Sequence, residues 1–276
     1  MTIRPQPRAR IAGSTAWVAD DAAGTVRPFA VATGRPTGPA VAVPGRPVDL
    51  AAGAGRIWAA GAVADQVTPV DLATRRAGSA VTVPAGPAAV AVGEGGVWVA
   101  SVLSGTVSLL DPATGQVAAT VALPDGAVRV AVGDHAVWVT GLTDTLVAID
   151  PHPVGVTLRW RAVPVGEGPI GVATGPGAVW VADATSGTVT RVDPRTLRVT
   201  ATFAVGGDPV SVACWRRLLW VADGERSQVV ALDPVNGRPV GRPVELPGVA
   251  RQLTVGDGSL WVATARRSAL VRLTAP

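Results

Sequence analysis

Apolar residues in this chain fall in short runs, and almost every run is closed by Gly, Pro or Asp. One arrangement recurs. In residues 91–111, AVGEGGVWVASVLSGTVSLLD, a Trp sits in an apolar run and a Thr-Val pair follows eight residues later. The same Trp returns at Trp17, Trp58, Trp98, Trp138, Trp180, Trp220 and Trp261, in steps of 41, 40, 40, 42, 40 and 41 residues. Such a period marks a sevenfold structural repeat that runs through residues 1–276 as one unit.

Each unit reads as four short strands, a to d. In the third, strand a is predicted over Pro87 to Val92, and the Gly93-Glu94-Gly95-Gly96 turn leads to strand b over Val97 to Ala100. After the loop Ser101 to Gly105 come strand c, Thr106 to Leu110, an Asp111-Pro112-Ala113-Thr114-Gly115 turn, and strand d, Gln116 to Leu123. In that turn Asp can accept from backbone N–H groups, Pro presets φ, and Gly tolerates positive φ. Strands a and b are apolar on both faces, as in VAVG and VWVA, whereas strand d mixes Thr, Ser, Gln, Arg and Glu with Val. That gradient suits a blade whose inner strands are sandwiched between neighbours and whose outer strand faces water. Pro36, Pro39, Pro239 and Pro243 fall in outer-strand positions, where a missing donor is tolerated.

The predicted fold is therefore all-β: a seven-bladed β-propeller of four-stranded antiparallel blades. The last unit stops after strand c, at Thr274-Ala275-Pro276, while Met1-Thr2-Ile3-Arg4-Pro5 is strand-like and precedes the first strand a. Residues 1–5 are expected to complete the seventh blade and close the ring. Helical repeats are excluded by the 33 Gly and 24 Pro. Each repeated Trp is read as blade cement rather than as part of an aromatic ligand cage.

Composition narrows the function classes. The formal charge is +4 and all 24 basic residues are Arg, with no Tyr and one Asn, a usage that points to a high-GC, bacterial gene. Arg and carboxylates are interspersed, so the charge footprint of a nucleic-acid binder is missing. Cys214, in VACW, has no partner for an intrachain disulfide and reads as a small buried hydrophobe. The stretch MTIRPQPRAR lacks the apolar region of a secretory leader, and no apolar run is long enough to span a membrane. A cytoplasmic monomer with no membrane partner is the expectation.

The unit PxxVAVGxGxVWVAxxxSGTVxxxDPxTGxVxATVxLP, best matched at Pro87 to Leu123 and Pro169 to Val205, resembles the YVTN-type bacterial β-propeller repeat. It is more distantly similar to NHL repeats and streptogramin B lyase. The resemblance implies a propeller, but its motifs are turn and packing residues, and members include sensor modules, interaction scaffolds and a lyase. That lyase relies on a His base, acidic residues and a divalent cation on the ligand face. Here His135 lies in an a–b turn and His152 in a c–d turn, on the face opposite the b–c and d–a loops. Lyase chemistry is disfavoured on that ground.

Function in a repeat protein is sought where the repeat breaks. One strand-a position reads Arg10, Asp49, Ala89, Arg129, Gly171, Ser211 and Gln252 when the first unit is taken to be one residue short. Its polar members, Arg10, Asp49, Arg129, Ser211 and Gln252, form a candidate ligand ring at the channel mouth. They could fix an anionic or zwitterionic ligand, or line a solvated channel in which Arg and Asp neutralise one another. The loop face adds Asp20, Asp21, Asp65, Asp144, Asp183, Asp223, Glu225, Arg226, Arg266 and Arg267, joined by Asp125, Glu167 and Asp208 from the d–a loops. Several Asp at related positions could hold Ca²⁺ or Mg²⁺, but no loop has the spacing of a dedicated cation site, so no metal or cofactor is assigned. Trp160, between Arg159 and Arg161, and Trp215, before Arg216-Arg217, suit either an interface or edge packing. GxSxG, Walker A, CxxC and HExxH motifs are absent. The leading reading is a non-catalytic scaffold that binds a protein or small molecule at its loop face. The alternative is a lyase or cyclase of bacterial secondary metabolism acting there on a peptide or polyketide-like ligand.

Overall fold

The computed structural model describes residues 8–265 and 269–273. It is a ring of seven antiparallel sheets, six of four strands and one, the seventh, of three among the described residues. The innermost strands a are Arg8–Ala12, Pro47–Gly53, Pro87–Gly93, Arg129–Gly133, Pro169–Gly175, Pro209–Trp215 and Val249–Gly256. The expected closing segment, residues 1–5, lies outside the described residues. Strand a of the first blade nevertheless packs beside strand a of the second and of the seventh, so the inner ring is continuous. No helix of the described residues is long and apolar enough to cross a membrane.

The turns behave as their residues dictate. In blades 2, 3, 4, 6 and 7 the a–b hairpins use two residues with positive φ, such as Glu94 (44°) with Gly95 (77°) and Asp257 (50°) with Gly258 (66°). This is the arrangement whose twist matches the flanking strands. In the c–d turns the Asp carboxylate caps the backbone: Asp111 accepts from the N–H of Ala113 (2.7 Å) and Thr114 (3.3 Å). These N–H donors hold Asp111 below the ordinary carboxylate range. Prolines shorten the outer strand in blades 1 and 6. Strand d is two residues long in blades 1, 2 and 6, and Pro36 and Pro239 make only isolated bridges to strand c.

Apolar packing lies between blades as well as within them. The cluster around Trp98 and Ala100 of blade 3 includes Val137, Val139 and Ile149 of blade 4. All seven repeated Trp are buried, and the indole N–H groups of Trp98, Trp138, Trp220 and Trp261 donate to a strand-a carbonyl five residues upstream. Five residues before Trp stands Gly in five blades, because the neighbouring strand passes too close for a side chain. A Cβ on Gly53, Gly93, Gly133, Gly175 or Gly256 would meet the next blade's side chain at 2.3–2.8 Å. Blade 6 breaks this row with Trp215, which is buried, 5.7 Å from the Trp220 ring and covered by Arg216. Packing is therefore the role of Trp215. Trp160, on the outer strand Trp160–Pro164, is 37% exposed.

Candidate functional site

Strand a carries its polar side chains to one end of the central channel, where the d–a loops enter and the b–c loops turn. The register between strands a and b fixes their depth. Asp49, Ala89, Arg129, Gly171, Ser211 and Gln252 pair with Ala60, Ala100, Thr140, Ala182, Ala222 and Ala263, each two residues past its Trp. In the first blade the residue in that layer is Arg8, opposite Ala19, while Arg10 pairs with Trp17 itself. The first unit is therefore not one residue short, and Arg10 belongs one layer deeper, level with Ala51, Ala91, Ala131, Ala173, Ala213 and Thr254. Counting nine residues back from each Trp would have found Arg8.

A second omission is Arg251. In blades 2, 3, 5, 6 and 7 the a–b ladder slips just above this layer. The extra residues in those bulges are Val48, Ala88, Ile170, Val210 and Arg251. Four are apolar, so the fifth is as clear a departure as any in the ring. A β-bulge re-aims the residue it carries, and Arg251 lines the channel.

The channel cavity has a volume of about 450 Å³. Arg8, Arg10, Asp49, Arg129, Arg251 and Gln252 all face it. Asp49 is buried and accepts from Val90 N–H (3.0 Å) and from Gln252 Nε2 (3.3 Å), a bond that spans the first blade. Ser211 accepts from Leu253 N–H at 3.0 Å. Arg10 donates Nε to the Leu50 carbonyl (2.8 Å), and Arg129 donates Nη1 to those of Ala88 (3.2 Å) and Val128 (3.4 Å). Arg8 is buried, and its Nε, like that of Arg251, has no hydrogen-bond partner among the described residues. None of the four guanidinium groups forms an ion pair among the described residues. Desolvation, and then the charge of Arg129, push Arg8 down to about 9, against the pull of Asp49.

The loop carboxylates are employed otherwise. Asp65 accepts from Gly86 N–H (2.8 Å) and Asp144 from Gly168 N–H (3.0 Å), each tying a b–c loop to the d–a loop that leads into the next blade. Asp20 caps Ala23 N–H (2.9 Å), and buried Asp21 pairs with Arg46 at 3.1 Å. Buried Asp223 accepts from the N–H groups of Asp208, Glu225 and Arg226, and pairs with the Arg226 side chain at 3.3 Å. Asp183 occupies the same repeat position but accepts from hydroxyls, those of Thr190 (2.6 Å) and Thr188 (3.2 Å). Its Oδ1 is buried without a partner, and burial pushes its carboxyl up to about 6. Among the described residues no three His, Cys, Asp or Glu side chains gather as metal ligands. Arg266 and Arg267 lie outside the described residues.

Both histidines stand on the other face. His135 is in the two-residue a–b turn of blade 4 with φ 61°, and exposed His152 pairs with Asp150 at 3.1 Å in a c–d turn. Cys214 is half-buried and its thiol is pushed up to about 11, chiefly by desolvation, which removes it as a nucleophile. Not foreseen from sequence is an apolar rim: Val63, Leu103 and Leu142, at the b–c loop tips of blades 2, 3 and 4, are 68%, 78% and 70% exposed.

No family model and no curated protein sequence matches the chain. Solved structures match its fold. Streptogramin B lyase superposes with a TM-score of 0.81 at 17% identity, over 96% of this chain and 91% of that one. A catalytically inactive variant of virginiamycin B lyase from Staphylococcus aureus, solved with quinupristin, gives 0.81 at 15%, over 94% and 92%. The WD40 domain of Neurospora crassa Pan2 gives 0.78 at 11%, over 94% and 86%. At these identities the likeness establishes the seven-bladed propeller and nothing finer.

Proposed function

We propose that this propeller, built from YVTN-type repeats, is a binding scaffold that seats its ligand at the mouth of the central channel, on the loop-rich face. The observation that carries this reading is the contrast in partners. Polar groups of the mouth, Arg8, Arg251 and Gln252 above all, have buried atoms without partners. Of the surrounding loop carboxylates, Asp20, Asp65, Asp144 and Asp223 are tied into the backbone, whereas Asp183 keeps one buried oxygen unpaired. A buried donor without a partner costs about 1–3 kcal/mol, more if charged, and a ligand that supplies acceptors recovers it. The exposed apolar rim of blades 2–4 gives the same face a surface for the rest of a ligand or a protein partner. A lyase or cyclase at this mouth would have to use a carboxylate such as Asp49 as its general base, because neither histidine reaches it from the opposite face.

A melting-temperature screen against charged and neutral metabolites and peptides tests the reading, repeated on Ser211→Leu and Gln252→Leu. Compounds that stabilise only the parent protein support it. Compounds that stabilise all three equally would put the site elsewhere, and chromatographic loss of a bound compound on incubation would overturn the non-catalytic part.

A further inference from the structure

The chemistry of the mouth narrows the ligand class, on the reading that the ligand seats there. We propose that the channel mouth is an oxyanion site, which grips a compact ligand with at least two negative charges between Arg8, Arg129 and Arg251, with Arg10 one layer deeper. The class includes phosphate and small polycarboxylates. Four guanidinium groups face the cavity against the single carboxylate of Asp49, a formal +3, and none is in an ion pair among the described residues. Arg8 and Arg10 come from blade 1, Arg251 from the neighbouring blade 7 and Arg129 from blade 4 farther round the ring, so the four converge from three strands.

A self-neutralised channel does not fit these contacts. Asp49 directs its oxygens to Val90 N–H and Gln252 Nε2, not to an arginine. Each guanidinium has five N–H donors, and among the described residues the four in the mouth make hydrogen bonds only from Arg10 Nε and Arg129 Nη1. The Nε groups of Arg8 and Arg251 are buried and unsatisfied, and so is Gln252 Oε1, which can accept from a protonated oxygen of the ligand. Nothing in blade architecture requires these residues, since the other blades place Ala89, Gly171, Ile170 and Val210 at the corresponding points. Like charges gathered in a partly dry cavity repel one another strongly, and an anion placed among them turns that repulsion into attraction. The lowered pKa of Arg8 is the same repulsion and desolvation expressed as proton affinity.

The test is calorimetric titration of the full chain with inorganic phosphate, sulfate and citrate, each against a chloride control at equal ionic strength. One-to-one binding above the chloride control is expected, and the order of citrate and phosphate affinities separates the carboxylate from the phosphate source. Arg8→Gln and Arg251→Gln should each weaken binding by about tenfold or more. Arg251 lies in a bulge outside the ladder, so its variant serves if Arg8→Gln does not fold.

Heats no larger than those of chloride would overturn the oxyanion assignment. If a neutral compound then lost its binding in Ser211→Leu, the channel-mouth reading would still stand. Anion binding that survived both arginine substitutions would place the anion outside the mouth and remove the support for both readings.

Discussion

The channel mouth and the rim of loops around it carry charged residues at the same end of the molecule, yet they treat them in opposite ways. On the rim, Asp65, Asp144 and Asp223 take up backbone N–H groups that would otherwise be unpaired where one blade hands over to the next. In the mouth, Arg8 and Arg251 bury their Nε groups at the inner ring of strands with no acceptor to receive them. Charge content alone does not separate Arg8 and Arg251 from Asp65, Asp144 and Asp223, whereas hydrogen-bond satisfaction does; Asp183, with one buried unpaired oxygen, is the exception on the rim. A polar group that is fully bonded inside the protein is engaged structurally, whereas the buried, unbonded Nε groups of Arg8 and Arg251, which face the channel, keep donors available to a ligand.

The largest effect is expected of Asp223→Ala. It leaves the N–H groups of Asp208, Glu225 and Arg226 without their acceptor, and should cost about 3 kcal/mol, read as a lower denaturant midpoint at an unchanged slope. A stability equal to the parent would show that the rim is as free as the mouth. Arg8→Gln should act in the opposite sense. Without added anion it should leave stability unchanged or raise it by about 1 kcal/mol, because a desolvated, repelled charge is removed. A large loss on thermal melting would mean that Arg8 is structural.

The smallest effect concerns Asp183, the rim position closest to the mouth in character. Its folded pKa is raised to about 6 from an ordinary 3.8, so the folded protein holds this proton more tightly than the unfolded chain does. Stability from this group is therefore fully present below pH 3.8 and is lost as pH rises through about 6. Asp183→Asn should flatten that slope and melt roughly 2–4 °C above the parent at neutral pH. An unchanged profile would mean that the Thr188 and Thr190 hydroxyls already satisfy the carboxylate.

Much of this was legible from residue order. The seven Trp positions, the Gly-bearing hairpins and the Asp-led turns specify strands and count blades, because each acts over a few residues: Trp98 on its own sheet, Asp111 on the N–H groups just after it. Part of the mouth was legible too, in Asp49, Arg129, Ser211 and Gln252. Arg8 was displaced by an assumed gap in the first unit, although the Trp17 spacing placed it correctly. Arg251 was hidden by a bulge, which depends on how two strands pair and not on the residue itself.

Residue order specifies the blade, the number of blades, and the strand-a rows in which a polar residue is out of place. Which charges are free depends on how distant segments of the chain meet. Asp183 and Asp223 share one repeat position, yet Asp223 meets the N–H of Asp208 across its blade while Asp183 meets two hydroxyls and keeps one buried oxygen unpaired. Asp49 could have neutralised an arginine, but closure of the ring brought it Gln252 from 203 residues away. Those partners are set by how seven blades close on one another, an interaction between segments far apart in the chain that no local pattern of residues encodes.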